Sequence, residues 1–271
     1  MSHDPYADLG QASHELQSRV ADAMIARAED PAQIRMRRDY LRKLDLPEGA
    51  AAVEPGSGTG DVTRDLIEVA GAATALGIEP SPVMVARAAA RHANVSGLSF
   101  QIGDAKATGL ADASMDLVAL HTLLIHCPGP EEALAEAHRI LKPGGILTVF
   151  DEDPPSVTAS IAEKDPVGPV IERLIEAYVH DRWLIRRVVP LIAEAGFDVV
   201  SRDGYLYLAE GEAAYFCTIV DRGADTLVED GTIGPDLAQG LKAEARRRAQ
   251  TDAFFGSIAF IGVIARKSGA A

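Results

Sequence analysis

Ala50-Ala-Ala-Val-Glu-Pro-Gly-Ser-Gly-Thr-Gly-Asp61 is the stretch on which the reading of this chain turns. Ala50 to Val53 predict a short buried strand, Glu54 stands at its end, and Gly56, Gly58 and Gly60 lead into a helix. Glycine at every second position removes side chains where a ligand would touch backbone, and it permits positive φ. Asp61 is placed to cap the helix, in which Val62, Leu66 and Val69 recur at helical spacing. A nucleotide-like ligand over the turn is the functional reading; a plain glycine-rich strand–helix turn is the bland one. The dinucleotide fingerprint needs glycine at position 61, and a phosphate-binding P-loop needs Lys followed by Ser or Thr; neither is present.

Downstream, strands and helices alternate, which is the pattern of a parallel sheet. Strands are expected at 50–55, Thr74 to Ile78, Leu98 to Ile102, Asp116 to Leu120 and Ile146 to Phe150. Helices are expected at 61–70, around Met84, Ala88 and Arg91, and from Glu131 to Leu141, where Lys142-Pro-Gly-Gly145 stops the last of them. Strand ends in such sheets face the ligand, and here they carry Glu54, Glu79, Asp104, His121 and Asp151. Any one of these acids has an ordinary use as a helix cap, but three ending successive strands are hard to assign that way. Upstream, residues 1–12 read as a loose tail. A helix from about Ser13 carries Leu16, Val20 and Ala23, and a second is announced by Asp30-Pro31-Ala-Gln33. In the second, Ile34, Leu41 and Leu44 form an apolar stripe. Arg37 and Arg38 lie near that stripe, either snorkelling at its edge or reaching a ligand carboxylate.

The 271 residues fit one α/β domain with an elaboration. Forty acids against 26 bases give a net charge of −14, which disfavours nucleic acid as substrate. Cys127 and Cys217 are too few for a disulfide framework and suit a reducing cytosol. No export signal stands at the beginning, and the apolar run Ile258 to Ala265 is too short to span a bilayer. A soluble, cytoplasmic protein is expected, with its oligomeric state left open between monomer and homodimer.

Glu54-x-Gly56-x-Gly58-x-Gly60 resembles motif I of the class I S-adenosylmethionine (SAM)-dependent methyltransferases, and later positions continue the likeness over roughly residues 46 to 152. SAM carries no phosphate, so a carboxylate beside the turn can face its ammonium. Glu79, followed by Pro80, resembles the acid that binds both ribose hydroxyls, since a carboxylate accepts two hydrogen bonds from a cis-diol. Met84 falls where the family packs an apolar side chain on adenine, and Gly103-Asp104-Ala105 resembles the segment that receives the adenine amino group. Arg139-Ile-Leu-Lys-Pro-Gly-Gly145 is similar to a stretch of the ubiquinone/menaquinone-type small-molecule enzymes. The resemblance implies a Rossmann-like, seven-stranded, mostly parallel sheet with helices on both faces and an antiparallel last strand. It also implies a helical N-terminal cap (1–45) before the methyltransferase domain (46–271). A helical segment near 160–195 is expected to end at Gly196. Strands follow from Phe197 to Leu208 and Gly256 to Ala265, with a helical insertion between them. Segments 154–180 and 211–252 are the expected lid and substrate walls. The cofactor set implied is Glu54, Gly56, Ser57, Gly58, Gly60, Glu79, Pro80, Met84, Gly103, Asp104, Ala105 and His121, with Arg38 for the SAM carboxylate.

Methyl transfer from SAM is an in-line displacement, so the protein chiefly aligns the reactants and, where needed, supplies a base. His126 and His121 are the base candidates; the ordinary alternatives are that His126 orders its loop and His121 lines the SAM pocket. Asp151 and Glu152 could grip a cationic or hydroxylated substrate. Trp183, Tyr205, Tyr207, Tyr215 and Phe216 could form an aromatic wall or simply pack. Asp153-Pro-Pro155 follows the wrong strand for the motif of amino-methylating DNA enzymes, two cysteines are too few for arsenic chemistry, and the two histidines lack companions for zinc. The expected function is methyl transfer to a small organic molecule at O, N or C. The alternative is a SAM-binding protein of the same fold that acts without methyl transfer, as a cyclase-like catalyst or a binding module.

Overall fold

Successive residues of a strand point to opposite faces of a sheet, and Leu117-Val118-Ala119-Leu120 divides accordingly. Leu117 and Ala119 join one buried cluster, Val118 and Leu120 the other. The computed structural model, which describes residues 4, 6, 9–209 and 211–269, builds this pattern into one seven-stranded sheet. The strands are Ala51–Pro55 (β1), Thr74–Glu79 (β2), Leu98–Ile102 (β3), Met115–His121 (β4), Leu141–Glu152 (β5), Phe197–Leu208 (β6) and Ser257–Lys267 (β7). Their order is β3-β2-β1-β4-β5-β7-β6. The first five pair in parallel, and β7 runs antiparallel to both β5 and β6, as the resemblance implies.

The helices are His14–Glu29 (α1), Pro31–Leu41 (α2), Asp61–Glu68 (α3), Pro82–Arg91 (α4), Pro130–Ile140 (α5), Gly168–Tyr178 (α6), Val188–Glu194 (α7), Ala214–Glu229 (α8) and Pro235–Gln250 (α9). Buried residues of α2, α3, α6, α8 and α9 share one cluster with the sheet; those of α5 and α7 share the other. A β-carbon on Gly223 would strike Val170, so glycine inside α8 lets that helix lie directly on the backbone of α6. Asp165, just ahead of α6, is bound by both Nη atoms of Arg248 in α9, at 2.6 and 3.1 Å, with both side chains buried.

Local expectations are corrected in four places. Gly60, at φ +82°, is the residue that caps α3, and Asp61 sits inside the helix, where it receives the Thr59 hydroxyl. Lys142-Pro-Gly-Gly145 lies within β5 and does not precede it: Leu141 already pairs with Met115, and the register then jumps to Leu117 against Ile146, a bulge. On α2, Met36 and Tyr40 are buried beside Leu41, whereas Ile34 is only half-buried. The expected loose tail is docked where it is described. Leu9, in a 3₁₀ turn over Leu9–Gln11, is buried with Val20, Ala21 and Met84, and Asp4 is 3% exposed.

Candidate cofactor and substrate site

At the carboxyl end of β1, the Gly56 and Ser57 amides donate to the Ile78 carbonyl at 2.7 and 3.1 Å, fastening the turn to β2. Gly56, Gly58 and Gly60 all have positive φ. A β-carbon on them would meet Leu123, Met24 and Phe100 respectively, so the glycines serve the turn and its packing as well as any ligand. Glu54 is buried and accepts from the Thr63 hydroxyl at 2.5 Å. Burial raises its pKa well above the ordinary carboxylate value, more than Thr63 and Arg37 lower it. The cleft over the turn is also lined by Gln33, Arg37, Ser57 and His121. Among the described residues, three buried polar atoms there have no hydrogen-bond partner: Gln33 Nε2, Arg37 Nη2 and Ser57 Oγ. Such atoms are costly unless something accepts from them or donates to them. Asp65 holds the other edge of Arg37 through Nε at 2.7 Å. Arg38 departs from expectation. It binds Asp65 and Glu68 at the rim and does not line the cleft, because the helical turn places Arg37 inward.

A larger cleft of about 510 Å³ adjoins the first and is lined by Gly56, Glu79, Pro80, Asp104, Ala105 and Lys106, with Tyr6 and Leu9 to Gln11 on the side of the N-terminal segment. Glu79 is 4% exposed; its two oxygens accept from the Gly58 and Ser81 amides at 3.0 and 3.1 Å, and burial nevertheless pushes its pKa to about 7. Asp104 is exposed; among the described residues its carboxylate accepts from the Lys106 amide alone, at 2.8 Å, leaving acceptor capacity toward the cleft. Gly103 donates to the Glu79 carbonyl at 3.2 Å and so couples β3 to that acid. Met84 is corrected: it is fully buried under Leu9, Val20 and Ala21, because the N-terminal segment packs over α4 and takes its side chain out of the cleft.

The third space, an inner cavity of about 80 Å³, opens between α1, α6 and α8. His126 lines both it and the larger cleft. Its Nδ1 lies 2.9 Å from Asp4 Oδ2, its ring is 4.4 Å from that of Tyr6, and its Nε2 has no hydrogen bond among the described residues. Burial lowers its pKa, but the hydrogen bond and charge of Asp4, with Asp151 and Glu152 beyond, raise it overall. His121 is arranged differently. Its Nε2 faces Arg27 Nη2 at 3.4 Å and its Nδ1 faces the Tyr40 hydroxyl at 3.2 Å. Because guanidinium only donates, Nε2 accepts and Nδ1 carries the proton. Burial, then Arg27 and Arg37, hold His121 well below the usual histidine range, and its ring stacks on Phe150 at 4.9 Å.

Glu152 lines the inner cavity, whereas Asp151 is buried behind it, accepts from the Ile125 and Glu152 amides, and is raised to about 7 by burial. Of the expected aromatic wall, only Tyr215 lines this cavity. Tyr207 and Phe216 are core, Tyr205 packs on Phe150 beneath Lys43, and Trp183 lies exposed under Arg186. Asp153 pairs with Arg186 at 2.8 and 2.9 Å, so the Asp-Pro-Pro stretch is structural. Reading the sequence alone passed over Asp4, Tyr6, Arg27, Gln33 and Arg222. Gln33 was visible as a glutamine three residues after a cap, but the Asp30 amide donates to the Arg27 carbonyl, so no capping box closes, and Gln33 Nε2 has no hydrogen-bond partner among the described residues. No cluster of three or more metal-ligating side chains occurs among the described residues, and no described helix is long and apolar enough to cross a membrane.

Residues 53–149 match the family described as "Methyltransferase domain". The chain is 32% identical over 178 residues to the ubiquinone/menaquinone biosynthesis C-methyltransferase UbiE of Rubrivivax gelatinosus, covering 60% of this chain and 69% of that protein. It is 30% identical over 160 residues to a 37.1 kDa protein of transposon TN4556 from Streptomyces fradiae, covering 59% of this chain but only 46% of that one. Among solved structures, the [4+2]-cyclase SpnF shares the fold with a TM-score of 0.54 at 22% identity, over 88% of this chain and 82% of its own.

Proposed function

This chain belongs to the class I SAM-dependent methyltransferase family, and from that premise we propose that it transfers the methyl group of SAM to a small organic molecule. The observation that carries the reading is the set of unpartnered, buried polar atoms on Gln33, Arg37 and Ser57 beside Glu54, at the glycine-rich turn. These residues fit the amino-acid end of SAM: a guanidinium edge for its carboxylate and Glu54 for its ammonium. Glu79 and Asp104 fit the ribose diol and the adenine amino group. The chemistry supplied by bound SAM is an electrophilic methyl group on a sulfonium that is already a good leaving group.

The residues of the chain then have three tasks. The turn, with Glu54 and Glu79, binds and orients the cofactor. The N-terminal segment and α6 and α8 exclude water from the inner cavity. His126 Nε2 takes up the proton released by the acceptor, while Asp4 holds the Nδ1 proton and so keeps Nε2 basic and aimed inward. His121, with both nitrogens engaged by Arg27 and Tyr40, lines the site without serving as base.

The experiment is incubation of the pure protein with methyl-labelled SAM and a small-molecule extract of the source organism. A labelled product together with S-adenosylhomocysteine is expected, and fragmentation names the acceptor atom. SAM binding without turnover would favour the fold's use without methyl transfer. Glu79→Ala should weaken SAM binding by about tenfold or more, roughly 1.4 kcal/mol; wild-type affinity would refute the ribose assignment.

A further inference from the structure

Arg27 and Arg222 both face the inner cavity, and neither forms an ion pair among the described residues. Arg222 Nη1 donates to the Tyr6 hydroxyl at 2.9 Å, its Nε to the Thr218 carbonyl at 3.2 Å, and its guanidinium lies 5.5 Å from the Tyr178 ring. Nη2 has no partner. Among the described residues, the Arg27 guanidinium reaches only the Thr122 hydroxyl, His121 and the face of Phe260. On a chain with net charge −14, carboxylates are plentiful and most arginines have one. Two guanidiniums left without one, converging on a single cavity, therefore mark a place kept for an anion. The remaining wall is largely aliphatic, with Leu174, Ile175, Ile219 and Ile258. A cation held against such a wall is costly until an anion arrives, and the guanidinium fork matches a carboxylate in a two-point contact. Glu152 shares the cavity, so it holds two cations against one anion at its wall.

Resting on the methyl-transfer reading, we propose that the acceptor is a small organic acid with an apolar body. Its carboxylate is held by Arg222 and Arg27, and its nucleophilic atom faces His126. Glu152 sets the polarity along the cavity by repelling the carboxylate toward the arginines.

The test uses the full chain loaded with S-adenosylhomocysteine, titrated by calorimetry with hexanoate, hexanamide, hexylamine and hexyl phosphate. Hexanoate should bind at least about tenfold more tightly than the amide and the amine. Arg222→Gln should erase that preference while S-adenosylhomocysteine affinity stays unchanged, Arg222→Lys should keep part of it, and Glu152→Gln should strengthen hexanoate binding. The proposal is overturned if hexylamine binds best, if hexyl phosphate outbinds hexanoate, if no probe binds, or if Arg222→Gln leaves the preference intact. Failure to bind S-adenosylhomocysteine would instead overturn the cofactor reading on which the proposal rests. Should Arg222→Gln fail to fold, the wild-type series and Arg222→Lys still decide.

Discussion

Two adjacent arginines on α2 have different fates because a helix rotates successive side chains by about 100°. Arg37 is 5% exposed and ends in the cleft with a free Nη2, while Arg38 stays at the rim with Asp65 and Glu68. Arg37→Ala should raise the dissociation constant for SAM about tenfold, roughly 1.4 kcal/mol, and Arg38→Ala should leave it within about twofold; calorimetric titration of both variants distinguishes them. His126 is the second residue-scale case. Its pKa lies above the ordinary histidine value, so its basic form is populated only at pH above that raised value, and turnover should climb through it. Asp4→Asn removes the main raising influence and should move the acid limb of the rate profile to lower pH. An unmoved limb would detach His126 from the proton transfer. Linked to folding, a raised histidine contributes stability that is complete below the unfolded pKa and is lost as pH rises through the folded one. His126→Gln should cut kcat about 10²-fold with SAM affinity near normal.

At the scale of elements, the helical walls of the site depend on one buried pair. Arg248 in α9 clamps Asp165, whose carboxylate also accepts from the Ile161 and Val167 amides and thereby shapes the entry to α6. Burial opposes ionisation of Asp165, but the Arg248 bonds and the amides bring its pKa down to about 2. The stability this provides is present above the unfolded carboxylate value and is lost as pH falls through about 2. Arg248→Met leaves a buried charge without its cation and should cost about 3 kcal/mol, a fall of roughly 6–12 °C in Tm. Because α6 carries Leu174 and Ile175 of the inner cavity, KM for the acceptor should rise with it. Thermal melting and acceptor titration measure the two effects, and an unchanged Tm would mean the three-helix wall is held by apolar packing alone.

For the whole molecule, the N-terminal segment closes what the sheet only outlines. Asp4 reaches His126 and the His180 amide, Tyr6 receives Arg222, and Leu9 covers Met84. If His126 is the base, as proposed, deleting residues 1–12 should lower kcat by about 10²-fold, since His126 loses Asp4, and should lower Tm by only a few degrees, since the sheet and its two clusters remain. Activity and melting of the truncated chain are the measurements; full activity would show that the segment is dispensable to the site.

The sequence by itself determined the strand order's raw material. Alternating strand and helix patterns marked the first five strands, the family resemblance implied the last two, and the glycine-rich turn and the acids at strand ends pointed to the cleft proposed for the cofactor. These signals are local, because each element's buried face is written in its own spacing. Tertiary structure decided the rest. It put Arg37 rather than Arg38 in the cleft and took Met84 into the core, and it paired His126 with Asp4 while engaging both ring nitrogens of His121. Those outcomes depend on which distant segment arrives: Asp4 is 122 residues from His126, and Tyr6 is 216 from Arg222. No pattern within either segment carries information about such meetings, which the packing of the N-terminal segment and the α6–α9 wall onto the sheet alone brings about.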